Sequence, residues 1–410
     1  MDPAFKGRTI VLGISGGIAS YKACELVREL VKVGAGVRVI MTKSAQEFVR
    51  PMTLQTLSLN PVSTELFDLT QESQIGHMEL ARVADVLAIA PATANVMAKM
   101  AHGICDDLLT TVALATTAPI VLAPAMNVHM WRHVATQANV KTLAERGATI
   151  VGPEAGDLAC GDVGEGRLSE IPAILEGIGK ALTRQTLSGV RILVTAGPTR
   201  EPVDPVRYLT NRSSGKMGYA IARAAQRRGA EVVLVSGPTS IPLPAGVRVV
   251  RVETAKEMHE ACLKEFPRAD VVVKAAAVAD FAVKDAGKKK IKRREQAPSI
   301  ELVPNPDILA DMGRKKDRQI LVGFAAETHD VASYAKAKLK EKNADIFVAN
   351  DVSRADAGFE VDTNEVELYF ADGRVERSGL LPKDEVAGKI LDAIEKLLPA
   401  IHQKANQMPA

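Results

Sequence analysis

The sequence predicts two doubly wound α/β domains, and three observations lead to this prediction. With 410 residues, the chain is too long for one ordinary hydrophobic core and suits two domains of roughly 200 residues each. Short apolar runs alternate with helical patterns, and the alternation restarts after a linker at Thr183–Gly189. Runs that are apolar on both faces indicate parallel strands covered by helices on both sides. We therefore expect domains at residues 1–187 and 188–410.

The first half contains five predicted strands, with a helix between the first two. The helix spans Ile18–Val33, because its leucines and valines form one apolar stripe and Gly34 is a favourable residue to end a helix. The strands are predicted at Thr9–Ile14, Val37–Met41, Val86–Ala90, Ile120–Ala123 and Thr149–Val151.

The second half repeats this succession and ends differently. A helix at Ile171–Leu182 precedes the linker, and a final helix is predicted at Glu385–Leu398. Asp372-Gly373 separates the β-rich runs Glu365–Phe370 and Arg374–Arg377, which predicts a hairpin of added antiparallel strands. The parallel strands are predicted at Arg191–Thr195, Val232–Val235, Val271–Lys274, Ile320–Phe324 and Ile346–Ala349.

Composition argues against nucleic acid and membrane partners. The net charge of +3 is too small to indicate either kind of partner. The most apolar stretch, Val83–Ala101, is interrupted by Asp85, Asn95 and Lys99, so we expect no membrane span. The four cysteines are scattered without metal-ligand spacing, and we see no signal-peptide pattern. We expect a cytoplasmic protein without a stable protein metal site.

Three loops at predicted strand ends of the first domain indicate a ligand site. Gly13–Ala19 joins a strand to a helix, and its glycines, helix amides and Ser15 hydroxyl suit a phosphate. Because it lacks the GxGxxG pattern, a mononucleotide fits better than a dinucleotide, and a plain glycine-rich turn is the alternative. Pro91–Val96 and Pro124–Trp131 each place small residues and an Asn after a strand, at the edge where such sheets bind ligands.

Two residues of this domain are candidates for proton transfer. His77 is either structural or a proton shuttle near neutral pH. Cys160 lies in the glycine-rich segment Leu158–Leu168, which is either a simple turn or a flap that brings a proton donor to a substrate. A thiol with an unperturbed pKa of about 8.5 is mostly protonated at neutral pH and can act as an acid.

Together, the Gly13–Ala19, Pro91–Val96 and Pro124–Trp131 loops and the Cys160 flap resemble the flavin-containing cysteine decarboxylases. The phosphopantothenoylcysteine decarboxylase branch is the most similar, and the resemblance covers nearly all of residues 7–180. It implies a flavodoxin-like flavoprotein fold, with FMN bound between the subunits of a trimer.

The resemblance also implies a reaction and the residues for it. FMN oxidises the substrate thiol to a thioaldehyde, carbon dioxide leaves, and the flavin then reduces the enethiolate. His77 matches the family's base, Asn127 the residue that orients the substrate carboxylate, and Cys160 the proton donor. The residues expected around FMN are Ser15, Gly16, Thr42, Pro91 and Thr93.

The second domain contains a different set of loops. A loop of about 20 residues follows the strand Arg191–Thr195, and loops of that length are usually functional. It ends in Asn211–Gly218, where two serines and a glycine at a helix start form an anion site without P-loop spacing. Lys338 and Lys342 lie one helical turn apart and share a helix face. The basic run Lys284–Arg294 is either a solvated loop or a flap that closes on a triphosphate.

These loops, with Lys274–Phe281, Asn305–Ile308 and Gly323–Thr328, resemble the bacterial, CTP-using phosphopantothenate–cysteine ligases over residues 190–398. The resemblance implies a ribokinase/Rossmann-like ligase fold that forms dimers. The carboxylate of 4′-phosphopantothenate attacks the α-phosphate of CTP with Mg²⁺ present, and the cysteine amine then displaces CMP from the acyl-cytidylate.

By position, Asn211 matches the residue that contacts the acyl intermediate, and Lys290 matches a mobile cationic clamp. The register of that lysine is open between Lys288 and Lys292. The residues expected around CTP are Lys274, Ala275, Ala276, Asp280, Lys290, Pro306, Asp307, Ile308, Leu309, Phe324, Lys338 and Lys342. Trimers of one half and dimers of the other would build a closed homo-oligomer such as a dodecamer.

Three alternatives are weaker. A peptidyl-cysteine decarboxylase of the lantibiotic type would leave the fused ligase without a purpose. A regulatory protein on the same flavoprotein fold would not need His77, Asn127 and Cys160 together. A Rossmann oxidoreductase would be expected to have the GxGxxG pattern that we find in neither half.

Overall fold

A computed structural model describes residues 2–67, 76–157, 161–291, 299–327, 331–351, 358 and 361–405. The chain divides into two compact units, Met1–Arg184 and Gln185–Ala410. We refer to them as the N-terminal and C-terminal units. The division lies close to the boundary predicted near residue 187.

The N-terminal unit is built on a sheet of six parallel strands in the order β3-β2-β1-β4-β5-β6. This is a doubly wound order, and without the two-residue edge strand β3 it becomes the flavodoxin-like order. The predicted α/β class is therefore confirmed. The strands are β1 (Thr9–Ile14), β2 (Gly36–Met41), β3 (Val62–Ser63), β4 (Val86–Ala92), β5 (Ile120–Pro124) and β6 (Thr149–Ile150).

Helices cover both faces of this sheet because its central strands are apolar on both sides. Within β1, Leu12 packs into the core beneath α1 and α8, whereas Val11 packs into the core beneath α4 and α5. A short 3₁₀ turn, Ile18–Tyr21, precedes α1, so the helix predicted at Ile18–Val33 is α-helical only from Lys22. The helices are α1 (Lys22–Lys32), α2 (Pro51–Ser58), α3 (Gly76–Val83), α4 (Ala94–His102), α5 (Leu108–Ala115), α6 (Val128–Arg132), α7 (Val134–Glu145) and α8 (Ile171–Leu182).

An antiparallel ribbon of β7 (Glu154–Asp157) and β8 (Val163–Arg167) was not predicted. Its strands are short, and β8 contains two glycines and little apolar alternation. The second strand of this ribbon belongs to Leu158–Leu168, the segment predicted as a flap, and Cys160 of that segment lies outside the described residues.

The C-terminal unit has an eight-stranded sheet in the order β13-β12-β9-β14-β17-β18-β19-β20. The first six of these strands are parallel, and the last two form the predicted antiparallel hairpin, which is longer than expected. The strands of the sheet are β9 (Arg191–Ala196), β12 (Glu231–Ser236), β13 (Arg248–Arg251), β14 (Val271–Lys274), β17 (Ile320–Glu327), β18 (Ile346–Asp351), β19 (Thr363–Phe370) and β20 (Val375–Pro382). Two small ribbons were not predicted: β10 (Arg200–Pro202) with β11 (Tyr208–Thr210), and β15 (Phe281–Val283) with β16 (Leu302–Pro304).

The helices of this unit again cover both faces of the sheet. Ile192 of β9 joins the core with α9 and α13, and Leu193 joins the core with α10 and α11. The last helix begins two residues earlier than predicted and extends beyond Pro399. The helices are α9 (Lys216–Arg227), α10 (Ala255–Glu265), α11 (Ile308–Lys315), α12 (Val331–Glu341) and α13 (Lys383–Ala405).

Among the described residues, none of the helices is both long and apolar enough to cross a membrane.

Gly218 is required for the contact between α9 and β9. A Cβ atom at Gly218 would lie 2.5 Å from the Ala196 Cβ and 2.8 Å from the Thr195 carbonyl oxygen. We expect Gly218→Ala to lower the free energy of unfolding of this unit by about 1–3 kcal/mol, because backbone atoms must move. Differential scanning calorimetry would measure the effect as a lower Tm.

Gly388 on α13 is a matched control. A Cβ atom there would meet its nearest atom, the end of the flexible Arg228 side chain, at 3.6 Å. Gly388→Ala should raise stability by about 0.5–1 kcal/mol, because alanine favours helix. Equal effects of the two substitutions would contradict the close packing of α9 on β9.

Candidate functional sites

The N-terminal unit has a cleft of about 860 Å³ at the carboxyl ends of β1, β4 and β5. The strand order reverses between β1 and β4, and ligands of doubly wound sheets bind at such points. We call it the N-terminal cleft. Six residues predicted for this site line it: Ser15, Gly16, Thr42, Pro91, Thr93 and Asn127.

Ser15 joins two of the loops that form this cleft. Its side chain is buried, and its hydroxyl donates to the Pro91 carbonyl over 2.7 Å. The Thr93 amide donates to the same hydroxyl oxygen over 2.9 Å. The sequence predicted that this hydroxyl donates a hydrogen bond to a phosphate. In the structure the hydrogen bond goes to the Pro91 carbonyl, so Ser15 holds the ends of β1 and β4 together.

Gly16 gives the cleft a backbone wall. A Cβ atom at Gly16 would lie 2.3 Å from the Ser44 Cβ and 2.8 Å from the Ser44 carbonyl oxygen, so no side chain fits here. The neighbouring Thr42 accepts a hydrogen bond from the Ala45 amide and fixes the turn that follows β2. Backbone exposed in this way, in a cleft of this volume, fits the phosphate and ring system of a mononucleotide.

Asn127 connects the cleft to the β7–β8 ribbon. Its side-chain oxygen accepts from the His129 amide over 2.8 Å and caps α6, which also contains Trp131. Its side-chain nitrogen donates to Asp162 over 2.6 Å. The Met126 amide donates to the Gly166 carbonyl over 2.9 Å. The predicted carboxylate-orienting residue is therefore in direct contact with Asp162 of the predicted flap.

The other two predicted residues of this unit are not placed in the cleft. His77 is half-buried on α3 and is not among the described residues that line the N-terminal cleft of its own chain. Cys160 lies outside the described residues.

Lys99 lines the cleft and was missed as a site residue. Its ammonium lies 2.6 Å from Asp106 and 3.0 Å from Asp107. The hydrogen bond to Asp106 raises the pKa of Lys99, and Asp107 adds to that effect against the cost of burial. The signal was visible in the sequence, where this lysine interrupts an apolar stretch.

The C-terminal unit has a cleft of about 610 Å³ at the carboxyl ends of β9, β14 and β17, again where the strand order reverses. We call it the C-terminal cleft. The predicted residues that line it are Asn211, Lys274, Ala275, Ala276, Asp280, Asp307, Leu309, Phe324, Lys338 and Lys342. Pro306 is exposed beside it, and the Ile308 side chain is buried in the core at the start of α11.

Charged groups of opposite sign form one end of this cleft. The Lys342 ammonium lies 3.0 Å from Asp307, whose side chain also caps α11 through the Ala310 amide. Burial opposes the charge on Lys342, but hydrogen bonds to Glu341 and Asp307 outweigh it and raise the pKa. Burial lowers the pKa of Lys274, and the charge of Asp307 partly offsets that effect. An anion that entered the cleft would stabilise both lysines in their charged forms.

The opposite wall is the start of α9. Asn211 donates to the Ala277 carbonyl over 3.0 Å and so links this wall to the loop after β14. Gly215 precedes α9 with a φ of +82°, and the serines at 213 and 214 line the cleft. Amide groups at a helix start attract anions.

The basic run is anchored at its base, away from this wall. Lys288, Lys289 and Lys290 are exposed and are not among the described residues that line the C-terminal cleft. The Gly287 amide donates to the Val203 carbonyl, and the Ile291 amide donates to Asp204 over 3.0 Å. The predicted register candidate Lys292 lies outside the described residues, together with Arg293 and Arg294.

Asp204 is held as a carboxylate at this anchor. It is 3% exposed and forms an ion pair with Arg207. Hydrogen bonds from the Arg207 side chain and then from the Ile291 amide hold the pKa of Asp204 well below its usual range. The segment before Asn211 and the base of the basic run are therefore one hydrogen-bonded assembly.

Lys383 is a second missed residue, on the wall of the C-terminal cleft. Its ammonium donates to the carbonyls of Gly358 and Val361 over 2.8 and 2.5 Å. Burial, with a contribution from the charge of Lys216, lowers the pKa of Lys383 to about 8. Its partners are backbone carbonyls more than 20 residues earlier, so no local motif marks it.

Comparisons with known proteins cover both units. Residues 4–183 match the Flavoprotein family, and residues 187–398 match the family described as DNA/pantothenate metabolism flavoprotein C-terminal domain. The coenzyme A biosynthesis bifunctional protein CoaBC of Vibrio cholerae serotype O1 is 48% identical over 393 residues, which are 95% of this chain and 98% of that protein.

Two further relatives of the same name give the same result. The protein from Bacillus subtilis strain 168 is 48% identical over 394 residues, 95% of this chain and 97% of its own. That from Escherichia coli K12 is 46% identical over 390 residues, 94% of this chain and 96% of its own. Since the similarity extends through both clefts and almost the full length of each relative, the chain belongs to the CoaBC family of bifunctional coenzyme A biosynthesis proteins.

Proposed function

We propose that the C-terminal unit ligates cysteine to 4′-phosphopantothenate with CTP and that the N-terminal unit decarboxylates the product with FMN to 4′-phosphopantetheine. The observation that supports this most is the fusion of a flavoprotein unit to a unit whose cleft gathers Asn211, Lys274, Asp307 and Lys342. The ligase would make phosphopantothenoylcysteine, which is the substrate of the decarboxylase, so two consecutive reactions account for both halves of the chain.

In the ligase half, two nucleophilic displacement reactions take place in one cleft, the first at the α-phosphorus of CTP and the second at the acyl carbon. The carboxylate of 4′-phosphopantothenate attacks the α-phosphate of CTP, the bond to the β-phosphate breaks, and pyrophosphate leaves. The cysteine amine then attacks the acyl carbon, an amide forms, and CMP leaves with the electron pair of the broken acyl–oxygen bond. Lys274, Lys338 and Lys342 supply positive charge to the nucleotide, and Asn211 would contact the acyl group.

The remaining CTP contacts are backbone atoms and the clamp. We assign the backbone of residues 274–276 and 306–309 to the nucleotide, with Asp280 and Phe324 beside it. The Lys290 side chain is exposed and would extend towards the phosphates as charge builds, while Val203 and Asp204 hold the backbone at Gly287 and Ile291 on either side of it. Mg²⁺ would enter with the nucleotide and offset its charge, with carboxylate oxygens such as that of Asp280 available in the cleft.

In the decarboxylase half, the described residues would hold FMN and orient the substrate. The Gly16 backbone and the loops joined by Ser15 would hold FMN, and Thr42, Pro91 and Thr93 complete its surroundings. When bound, FMN supplies a reversible electron acceptor for the substrate thiol. Asn127, fixed by His129 and Asp162, would orient the substrate carboxylate. By the resemblance, His77 would take a proton and Cys160 would donate one.

A trimer of the N-terminal unit would complete this site. His77 does not line the cleft of its own chain among the described residues, which a neighbouring subunit would explain. Large apolar side chains at the cleft are exposed, with Ile18 and Tyr21 each at 59%. Dimers of the C-terminal unit would then build a dodecamer. Free thiols at Cys24, Cys105 and Cys262 suit a reducing compartment, so we place the reaction in the cytoplasm.

The direct test is mass spectrometry of the products formed from 4′-phosphopantothenate, cysteine, CTP and Mg²⁺. We expect 4′-phosphopantetheine together with CMP. Accumulation of the undecarboxylated cysteine adduct would contradict the decarboxylase half alone. No product from folded, flavin-containing protein would contradict the proposal as a whole.

Lys290→Gln should reduce the ligase rate by about 100-fold, because a charge that follows the transition state is lost. Decarboxylation of supplied phosphopantothenoylcysteine should be unchanged. Lys264→Gln on α10, also exposed, is the control and should leave both rates intact. If Lys289→Gln or Lys288→Gln shows the loss instead, the register of the clamp is shifted. Full ligase activity in all three flap variants would exclude a lysine clamp at 288–290.

Cys160→Ser should abolish formation of 4′-phosphopantetheine while the flavin is still reduced by the substrate, because a serine hydroxyl is a much weaker acid than a thiol. Stopped-flow absorbance of the flavin would follow the reduction, and product analysis would follow the turnover. Unimpaired turnover would show that another group donates the proton. Cys105→Ser, at an exposed thiol, is the matched control.

A further inference from the structure

A second cleft of about 800 Å³ adjoins the C-terminal cleft. The two clefts share one wall, the segment Asn211–Lys216 at the start of α9. Tyr219, Ser236 and Thr239 are among the hydroxyl side chains that line the adjoining cleft. None of them was among the predicted site residues.

These hydroxyls form one directed chain of hydrogen bonds. Ser236 donates to the Gly237 carbonyl over 2.8 Å, so it must accept from Tyr219, whose hydroxyl lies 3.1 Å away. Thr239 in turn donates to the Tyr219 hydroxyl over 3.1 Å. Tyr219 and Ser236 are 3% and 2% exposed, so water cannot readily replace a lost partner. Each hydroxyl proton has one acceptor, and the order of donors is fixed.

The chain fixes the Thr239 methyl group against two glycine turns. A Cβ atom at Gly197 would lie 2.9 Å from this methyl carbon, and one at Gly215 would lie 2.8 Å from it. Both glycines have positive φ, +76° and +82°, and Gly215 immediately precedes α9. The methyl therefore packs against the Gly215 turn, which lines the C-terminal cleft and whose Gly215 amide donates to the Ser213 hydroxyl over 3.3 Å.

We propose that Tyr219, Ser236 and Thr239 are positioning residues for the nucleotide phosphates. The hydroxyl chain holds the Thr239 methyl in place, and the methyl holds the Gly215 turn, so that the amides at the start of α9 are oriented for an anion. Binding to amides that are already oriented requires no ordering of the turn. This inference rests on the proposed binding of CTP in the C-terminal cleft.

Tyr219→Phe tests the chain, because it removes the hydroxyl and leaves the ring in the core. We expect the KM for CTP to rise about fivefold, the effect of one lost hydrogen bond, while the KM for cysteine and the decarboxylation rate stay unchanged. Tyr369→Phe is the matched control. Tyr369 is also 3% exposed, and its hydroxyl donates a hydrogen bond to Glu367, but it lines neither the adjoining cleft nor the C-terminal cleft. It should leave the KM for CTP unchanged.

Two substitutions at Thr239 separate the hydroxyl from the methyl. Thr239→Val keeps a methyl against the turns, and Thr239→Ser keeps the hydroxyl; each should raise the KM for CTP. The pair Tyr219→Phe with Thr239→Val should be no worse than Tyr219→Phe alone, because both remove the same hydrogen bond.

An unchanged KM for CTP in Tyr219→Phe, or a lower Tm with all KM values unchanged, would overturn the positioning role. Additive effects in the double variant would overturn the chain. Wild-type protein that used no CTP would overturn the proposed function and this inference together.

Discussion

Burial of both faces of the central strands is the constraint on which the rest of the molecule depends. In β1 and β9, adjacent residues pack into cores on opposite sides of the sheet. Parallel strands of this kind need helical crossovers on both faces, and the direction of the crossovers must reverse at one point in the sheet. In each unit the reversal opens a cleft at the carboxyl ends of the strands. The two clefts are thus products of the same rule of chain packing, applied twice.

Within that frame, the walls of the clefts are held together by polar contacts between loops that are distant in sequence. Ser15 joins the ends of β1 and β4, and Asn211 joins the start of α9 to the loop after β14. Asp204 similarly joins the long loop after β9 to the base of the basic run. These side chains orient the backbone, and most of the groups left to meet an anion are amides and lysines.

The sequence was sufficient for the elements whose signal is local. Buried runs such as Thr9–Ile14 and Val271–Lys274 have the same bounds in the structure as in the prediction, and so does the helix Ile171–Leu182. The four short ribbon strands of the C-terminal unit and the β7–β8 ribbon were missed, because they are short and contain no run of buried apolar residues. Their pairing depends on tertiary contacts, such as that between Gly166 and Met126.

The same distinction applies to the sites. Glycines and asparagines at strand ends were found because each lies in a recognisable motif, as with Gly16 and Asn127. Lys383 and the Tyr219 hydroxyl chain were not found, because their partners are separated in sequence and are partly backbone carbonyls. Ser15 lines the N-terminal cleft, but the acceptor of its hydroxyl could be identified only once the position of Pro91 was known.

The position of Trp131 has an optical consequence. It is the single tryptophan of the chain, and it lies on the short helix that Asn127 caps and against which the β7–β8 ribbon packs. Ultraviolet light of a wavelength too long for tyrosine to absorb therefore excites tryptophan emission from α6 of the N-terminal unit alone. This fluorophore is native to the protein, and its helix contacts β8 of the ribbon. Its emission can therefore report a change in the packing of β8 on this helix in real time, and the C-terminal unit contributes no tryptophan signal.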